Sequence, residues 1–239
     1  MTDRRSMAIP ALKQPPASAA ETSCREGYGW RIAAAVEVAL AAAAVLLDLL
    51  IPTLVLLAMA VLSLIIRREG PRTLGLVRPA RPVLLAAKVF GLCVMWTLLV
   101  LALFMPVLEH LTGQQRDVSQ FAPLEGNWRL LLFMLLLTWT LAAVGEEFAF
   151  RGYVQTRIRE VLPGSLGVLI AVLLSSALFG LLHTEQGAIG VALTTIDAIY
   201  FSVLRYRFHT LWAAILAHGF NNTIGMVSFY IAGPFYGLW

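Results

Sequence analysis

Three features of the sequence predict an all-α, polytopic membrane protein. Hydrophobic residues make up 59% of the 239-residue chain and charged residues only 13%. The mean hydropathy is +0.78. Several apolar windows are longer than the roughly 18 residues that mark a spanning helix. A water-soluble domain is excluded on this balance. Basic residues gather at the ends of the apolar runs, which sets topology and is not a nucleic-acid footprint, and the chain carries no glycine-rich phosphate loop. The two cysteines, Cys24 and Cys93, fit neither a disulfide framework nor a metal knuckle.

Residues 1–29 are rich in Pro, Ala, Ser and charge without hydrophobic periodicity, and read as a mobile cytoplasmic tail. Residues 30–239 read as a single transmembrane domain. The nearly continuous apolar stretch 31–66 is too long for one span and fits two, broken near Asp48–Pro52. Arg67, Arg68, Arg72, Arg78 and Arg81 against the single acid Glu69 place 67–82 in the cytoplasm. A third span covers 83–108, and the near-neutral segment 109–127 belongs outside. The fourth span starts at Trp128 and runs inward, ending before the helix stop Pro163-Gly164. Leu166–His183 and Ala188–Leu204 are the fifth and sixth spans; Arg205, Arg207 and His209 form a cytoplasmic turn, and the seventh span runs from Leu211 to Ile231. About seven spans thus put the N-terminus inside, in an integral protein of the cytoplasmic membrane.

Ionisable groups within such runs are costly and mark function or pairing. Glu146 and Glu147 close an apolar run from Trp128 to Val144 in which Arg129 is the only charge. Glu147 and Arg151 are i,i+4 neighbours with the acid first, the better orientation for an ion pair. Glu146 lies about 100° round an α-helix from Glu147, because there are 3.6 residues per turn. Arg151 can therefore neutralise Glu147 and leave Glu146 free as a base. Later spans carry His183, Asp197, His218, Asn221 and Asn222. If Pro163-Gly164 is the tip of a helical hairpin, Glu146 and His183 differ in height by about 3 Å at 1.5 Å rise per residue. His218 and Asn222 share a helix face. A protrusion of the hairpin by roughly 10 Å brings all four groups to one level in a polar intramembrane cavity. A desolvated glutamate there can take a proton from water, a histidine can orient that water, and a second histidine with an asparagine amide can donate to a developing oxyanion. This set suits amide hydrolysis by activated water. No Gly-x-Ser-x-Gly elbow supports a nucleophile.

Glu146-Glu147-x-x-x-Arg151, Phe179-x-x-x-His183 and His218-x-x-x-Asn222 resemble the three motifs of the CPBP (CAAX protease and bacteriocin-processing) intramembrane proteases. Leu74-Gly75-Leu76-Val77-Arg78-Pro79 and the block Ser175–His183 are also similar, so the resemblance covers roughly residues 70–225. It implies a glutamate-dependent membrane endopeptidase related to type II CAAX prenyl endopeptidases, acting on a peptide or membrane-protein substrate in the lipid bilayer. It also implies that Glu146 and His183 activate water, that His218 and Asn222 form the oxyanion site, and that Glu147 and Arg151 support them. Asp197 departs from the small residues usual near Thr194–Ala198; it either alters the substrate groove or pairs locally with a basic group, and the second is expected. No cofactor is expected. Zinc on Glu146, Glu147, His183 and His218 is the rival reading, disfavoured by Arg151 and by the lack of a His-Glu-x-x-His helix. Non-enzymatic readings remain: a transporter-like or immunity protein that binds a peptide in the cavity, and a scaffold whose buried charges only specify helix packing.

Overall fold

The computed structural model describes the backbone of residues 17–233 and side chains from Gly27 onward. Its helices are α1 (Ala17–Leu46), α2 (Pro52–Arg67), α3 (Pro82–Thr112), α4 (Trp128–Val161), α5 (Gly164–Leu181), α6 (Gly187–Phe208) and α7 (Leu211–Ala232), joined by short turns except for the longer connections 68–81 and 113–127, and with no strand among the described residues. The expected tail lies partly within α1, which starts at Ala17; residues 1–16 are outside the described residues. The break expected near Asp48–Pro52 is present, with Asp48 and Leu50 both at positive φ.

Among the described residues, five helices are long and apolar enough to cross a membrane: residues 27–46 of α1, then α3, α4, α5, and α6 with the turn before it. The expected count of seven is not reached by that measure, for two separate reasons. At 16 residues α2 is apolar but short, since 1.5 Å per residue gives about 24 Å against a hydrocarbon core of about 30 Å. Helix α7 has 22 residues, but His218, Asn221, Asn222 and Thr223 interrupt its apolar character. Leu98, Leu132, Leu136, Leu173 and Ile65 point outward and are exposed, as apolar side chains facing lipid should be.

Local chemistry fixes the helix ends. Asn127 caps α4 by accepting from the Leu130 N–H at 3.1 Å. Thr210 caps α7 through the Trp212 N–H, and its own hydroxyl donates to the Val77 carbonyl at 2.6 Å. Gly164 follows Pro163 at φ +88 and starts α5. Two stretches widen into π-helix, Val100–Phe104 in α3 and Thr138–Val154 in α4. The second holds Glu146, Glu147 and Arg151, so the α-helical rotation expected between the two glutamates does not apply. Thr140 and Thr156, near its two ends, each return a hydroxyl to the carbonyl four residues back, at 2.7 and 2.6 Å, a contact that bends helices. π-Helical turns inside α-helices often mark functional sites.

The basic ends of α2, α4 and α6 are stitched together. Arg67 pairs with Glu37 at 2.7 Å and with Glu160 at 2.9 Å. Arg157 pairs with Glu69 at 2.9 Å and with Glu37 at 3.3 Å, and also contacts Glu160. Glu37, an isolated acid in the sequence, is thus the partner of two arginines on other helices. Arg205, expected in a cytoplasmic turn, lies in the last turn of α6 and is buried. It donates to Gln155 Oε1 at 2.9 Å, to the Leu74 carbonyl at 3.2 Å and to the Arg151 carbonyl. Gly75, at φ +90, makes room for it: a Cβ there would lie 3.1 Å from Arg205 Nη2.

Helix α7 packs against the π-helical part of α4 and against α3, while α5 lies along α6. The second contact is close because of Gly180. A Cβ on Gly180 would meet Thr195 Oγ1 at 2.0 Å and the Val191 carbonyl oxygen at 2.8 Å. Gly180→Ala should therefore force α5 off α6 and lower the melting temperature in detergent, by an overpacking cost of about 1–3 kcal/mol. An unchanged melting temperature would show that the two helices separate freely.

Candidate active site

Glu147 and Arg151 leave the π-helical stretch of α4 toward the protein interior, and both side chains are wholly buried. Arg151 Nη1 lies 3.0 Å from Glu147 Oε1. The guanidinium sits over the ring of Phe179 at 4.3 Å and near that of Phe201 at 5.7 Å. Isolated buried charges cost too much to persist, so each needs this partner. The pair therefore ties α4 to α5 through Phe179 and to α6 through Phe201.

The same carboxylate also holds α7. His218 Nδ1 lies 2.9 Å from Glu147 Oε1. A carboxylate only accepts, so Nδ1 carries the proton and donates. The imidazole stacks on Phe201 with centroids 5.3 Å apart and planes 18° apart, and meets the edge of Phe179 at 5.8 Å. The other nitrogen, Nε2, faces Glu146 Oε2 at 3.9 Å. Sequence spacing gave the Glu147–Arg151 pair; it had no signal for the third member, because His218 arrives from another helix.

Glu146 is half-buried and faces a cavity of about 230 Å³. His183 follows the end of α5, its Nδ1 3.1 Å from the Phe179 carbonyl oxygen and its ring 5.1 Å from that of Phe179. An Nδ1–H directed at this carbonyl leaves Nε2 without a proton in the neutral ring. Glu146, His183, His218 and Asn222 all line this cavity. Glu147 and Arg151 do not line it; they stand behind it. The six candidates divide into a cavity set and a buried supporting pair.

Asp197 lines the cavity too, with Arg116 as the basic group that acts on it electrostatically, while its hydrogen bonds come from other residues. It accepts from Trp96 Nε1 at 2.6 Å and from Asn221 Nδ2 at 3.3 Å, both neutral donors. Trp96 in turn stacks on Tyr200 at 4.2 Å, which joins α3 to α6. Arg116, from the connection between α3 and α4, lines the same cavity and spends two nitrogens on Gln186 Oε1. No motif marked Trp96, Arg116 or Gln186 in the sequence, because their partners are 70 or more residues away. Cys93, read as a plain thiol, is buried with Sγ 3.5 Å from the Ala217 carbonyl oxygen. Among the described residues, no group of three His, Cys, Asp or Glu side chains forms a metal-ligating set.

Glu147→Gln should leave Arg151 buried without its counter-charge and His218 without its acceptor. Loss of one member of a buried pair costs about 3–5 kcal/mol, so the melting temperature in detergent should fall sharply. Glu146→Gln, at the wall of the cavity and outside the buried pair, should melt close to the wild type. Equal melting of both variants would contradict the division between cavity set and supporting pair.

Residues 128–224 match the family model described as Type II CAAX prenyl endopeptidase Rce1-like. The match takes in α4, α5, α6 and the first part of α7, and with them all six candidate residues. It leaves out α1 to α3 and the Leu74–Pro79 segment, so the matched part is narrower than the resemblance read from the motifs. No curated protein and no solved structure matches the chain.

Proposed function

Residues 128–224 relate the chain to the CAAX protease (CPBP) family, and from that relation we propose that it is a membrane-embedded endopeptidase of glutamic type. One observation carries the assignment of roles. Of two adjacent carboxylates, Glu147 is fully buried and engaged by Arg151 and His218, whereas Glu146 opens onto the cavity.

Glu146 takes a proton from a water molecule held against His183 Nε2. The resulting hydroxide oxygen attacks the carbonyl carbon of the substrate, and the carbonyl oxygen becomes an oxyanion. The Asn222 amide donates to that oxyanion. His218 donates through Nε2 when its ring carries both protons, with the opposite charge on Glu147 at Nδ1. Preorganised donors of this kind are commonly the largest single contribution to such catalysis. The tetrahedral species then collapses, the C–N bond breaks, and Glu146 delivers its proton to the departing amine. The products are a carboxylic acid and an amine, which become carboxylate and ammonium when the acid's proton passes to the amine, with no covalent enzyme intermediate. Residues 30–239 act as the single transmembrane catalytic domain, and the substrate is a peptide or a segment of a membrane protein.

Zinc is disfavoured by electrostatics. Arg151 at 3.0 Å from Glu147 already supplies the positive charge that a dication would bring. Activity should survive exhaustive chelation; loss on chelation with recovery on added Zn²⁺ would favour a metallopeptidase.

The direct test uses the purified protein in detergent against a peptide library, read by mass spectrometry. Cleavage is expected for the wild type. Glu146→Gln should lower the rate by about 10²–10⁴, the usual contribution of a general base. Peptide binding without cleavage, unchanged by Glu146→Gln, would favour a peptide-binding or immunity protein instead.

A further inference from the structure

The two ends of the helical bundle differ in charge, and the cavity belongs to only one of them. At one end lie Arg67, Arg68, Arg72, Arg78 and Arg81, in and around the connection from α2 to α3. Arg157, Arg159, Arg205 and Arg207 close α4 and α6 at the same end. Contacts establish that these segments are neighbours: Arg67 pairs with Glu160, Arg157 with Glu69, and the Leu211 N–H donates to the Gly75 carbonyl at 2.8 Å.

The opposite end carries Arg116 and Arg129 together with the acids Asp48, Glu109, Asp117, Glu125 and Glu185. Its segments are likewise held to one another. The Asp117 N–H donates to the Gln186 carbonyl at 3.2 Å, and the Gly126 N–H to the Tyr230 carbonyl at 3.0 Å. Counted over the connections and the helix ends beside them, nine arginines stand against two, and such asymmetry sets membrane orientation with the basic side in the cytosol.

The cavity runs from mid-helix to the arginine-poor end. Glu146, Asp197 and His218 lie at its deep part, half-way along α4, α6 and α7. Arg116, Val118, Phe121 and Gln186, all from connections at the arginine-poor end, line it as well. No residue of the connections 68–81 and 162–163 or of the turn 209–210, at the arginine-rich end, lines it.

We propose that the cavity opens on the side of the membrane away from the cytosol, and that it takes peptide segments presented there: secreted chains, or the outward-facing tails and loops of membrane proteins. The substrate half of this statement rests on the endopeptidase reading; the orientation half does not. A polypeptide tail confined to the cytosolic face would meet the arginine-rich end, whose connections contribute no wall to this cavity. Leu101, Met105 and Phe121 give the cavity apolar walls above the polar floor, which suits an extended segment rich in apolar side chains.

The orientation is tested in intact host cells expressing the full chain with Cys24→Ser, leaving Cys93 buried. Gln115→Cys and Arg72→Cys, both at exposed positions, serve as reporters. A membrane-impermeant maleimide should label Gln115→Cys in intact cells and Arg72→Cys only after permeabilisation. The reverse pattern would overturn the proposal, as would labelling of both in intact cells. A peptide cleaved by the detergent-solubilised protein is then added outside sealed vesicles. Right-side-out vesicles should cleave it and inverted ones should lose that cleavage until lysed; cleavage confined to inverted vesicles would also overturn the proposal. If the solubilised protein cleaves no peptide, the endopeptidase reading fails, and the maleimide pattern still decides the orientation.

Discussion

A carboxylate and a guanidinium, each without access to water, meet at 3.0 Å between Glu147 and Arg151. Neither charge is tolerable alone at such depth, so every surrounding element must hold them together. Phe179 of α5 and Phe201 of α6 cover Arg151 with their rings, and His218 of α7 donates to Glu147. Four helices therefore converge on one ion pair. Arg205 extends the same logic toward the basic end, since it bonds the Arg151 carbonyl, Gln155 and the Leu74 carbonyl. Gln155 continues it to Ser175 at 2.9 Å and Ser202 at 2.8 Å.

The ion pair matters to the cavity because it fixes what lies in front of it. With Nδ1 committed to Glu147, the His218 ring has one orientation and directs Nε2 toward Glu146. His183 is likewise turned by the Phe179 carbonyl, one helical turn back on α5. Phe179 thus touches Arg151, His183 and His218 together. Positioned groups that need no reorganisation at the moment of reaction are what electrostatic catalysis requires. Those roles remain the proposal, while the positions are geometry.

Much of this was legible in the sequence where the signal is local. Apolar runs and arginine clusters gave the all-helical membrane fold, and the spacing of Glu147 and Arg151 gave the ion pair. The grouping of Glu146, His183, His218 and Asn222 followed from rise per residue counted from two hairpin turns, Pro163-Gly164 and Phe208-His209, with the first hairpin protruding by roughly 10 Å. Other features depended on distant partners and left no local mark. The π-helical winding of Thr138–Val154 cannot be read from residue types that also suit an α-helix. Asp197 was visible as an intruding acid, but its donors Trp96 and Asn221 come from α3 and α7. Arg205 looked like a cytoplasmic turn residue until Gly75 and the Leu74 carbonyl folded over it. The start of α1 was missed because composition marks where a chain is apolar, not where its backbone stops being helical.

The account rests on Glu147 being committed to Arg151, which leaves Glu146 as the working carboxylate. A double-mutant cycle measures that commitment. Unfolding free energies in detergent would be obtained for the wild type, Glu147→Gln, Arg151→Gln and the combined variant. Groups that share one interaction show coupling of about 0.5–3 kcal/mol, and the combined variant should be less destabilised than the two single changes added together. Strict additivity would mean that the two side chains do not act as a pair, and the division of labour between the adjacent glutamates would be contradicted.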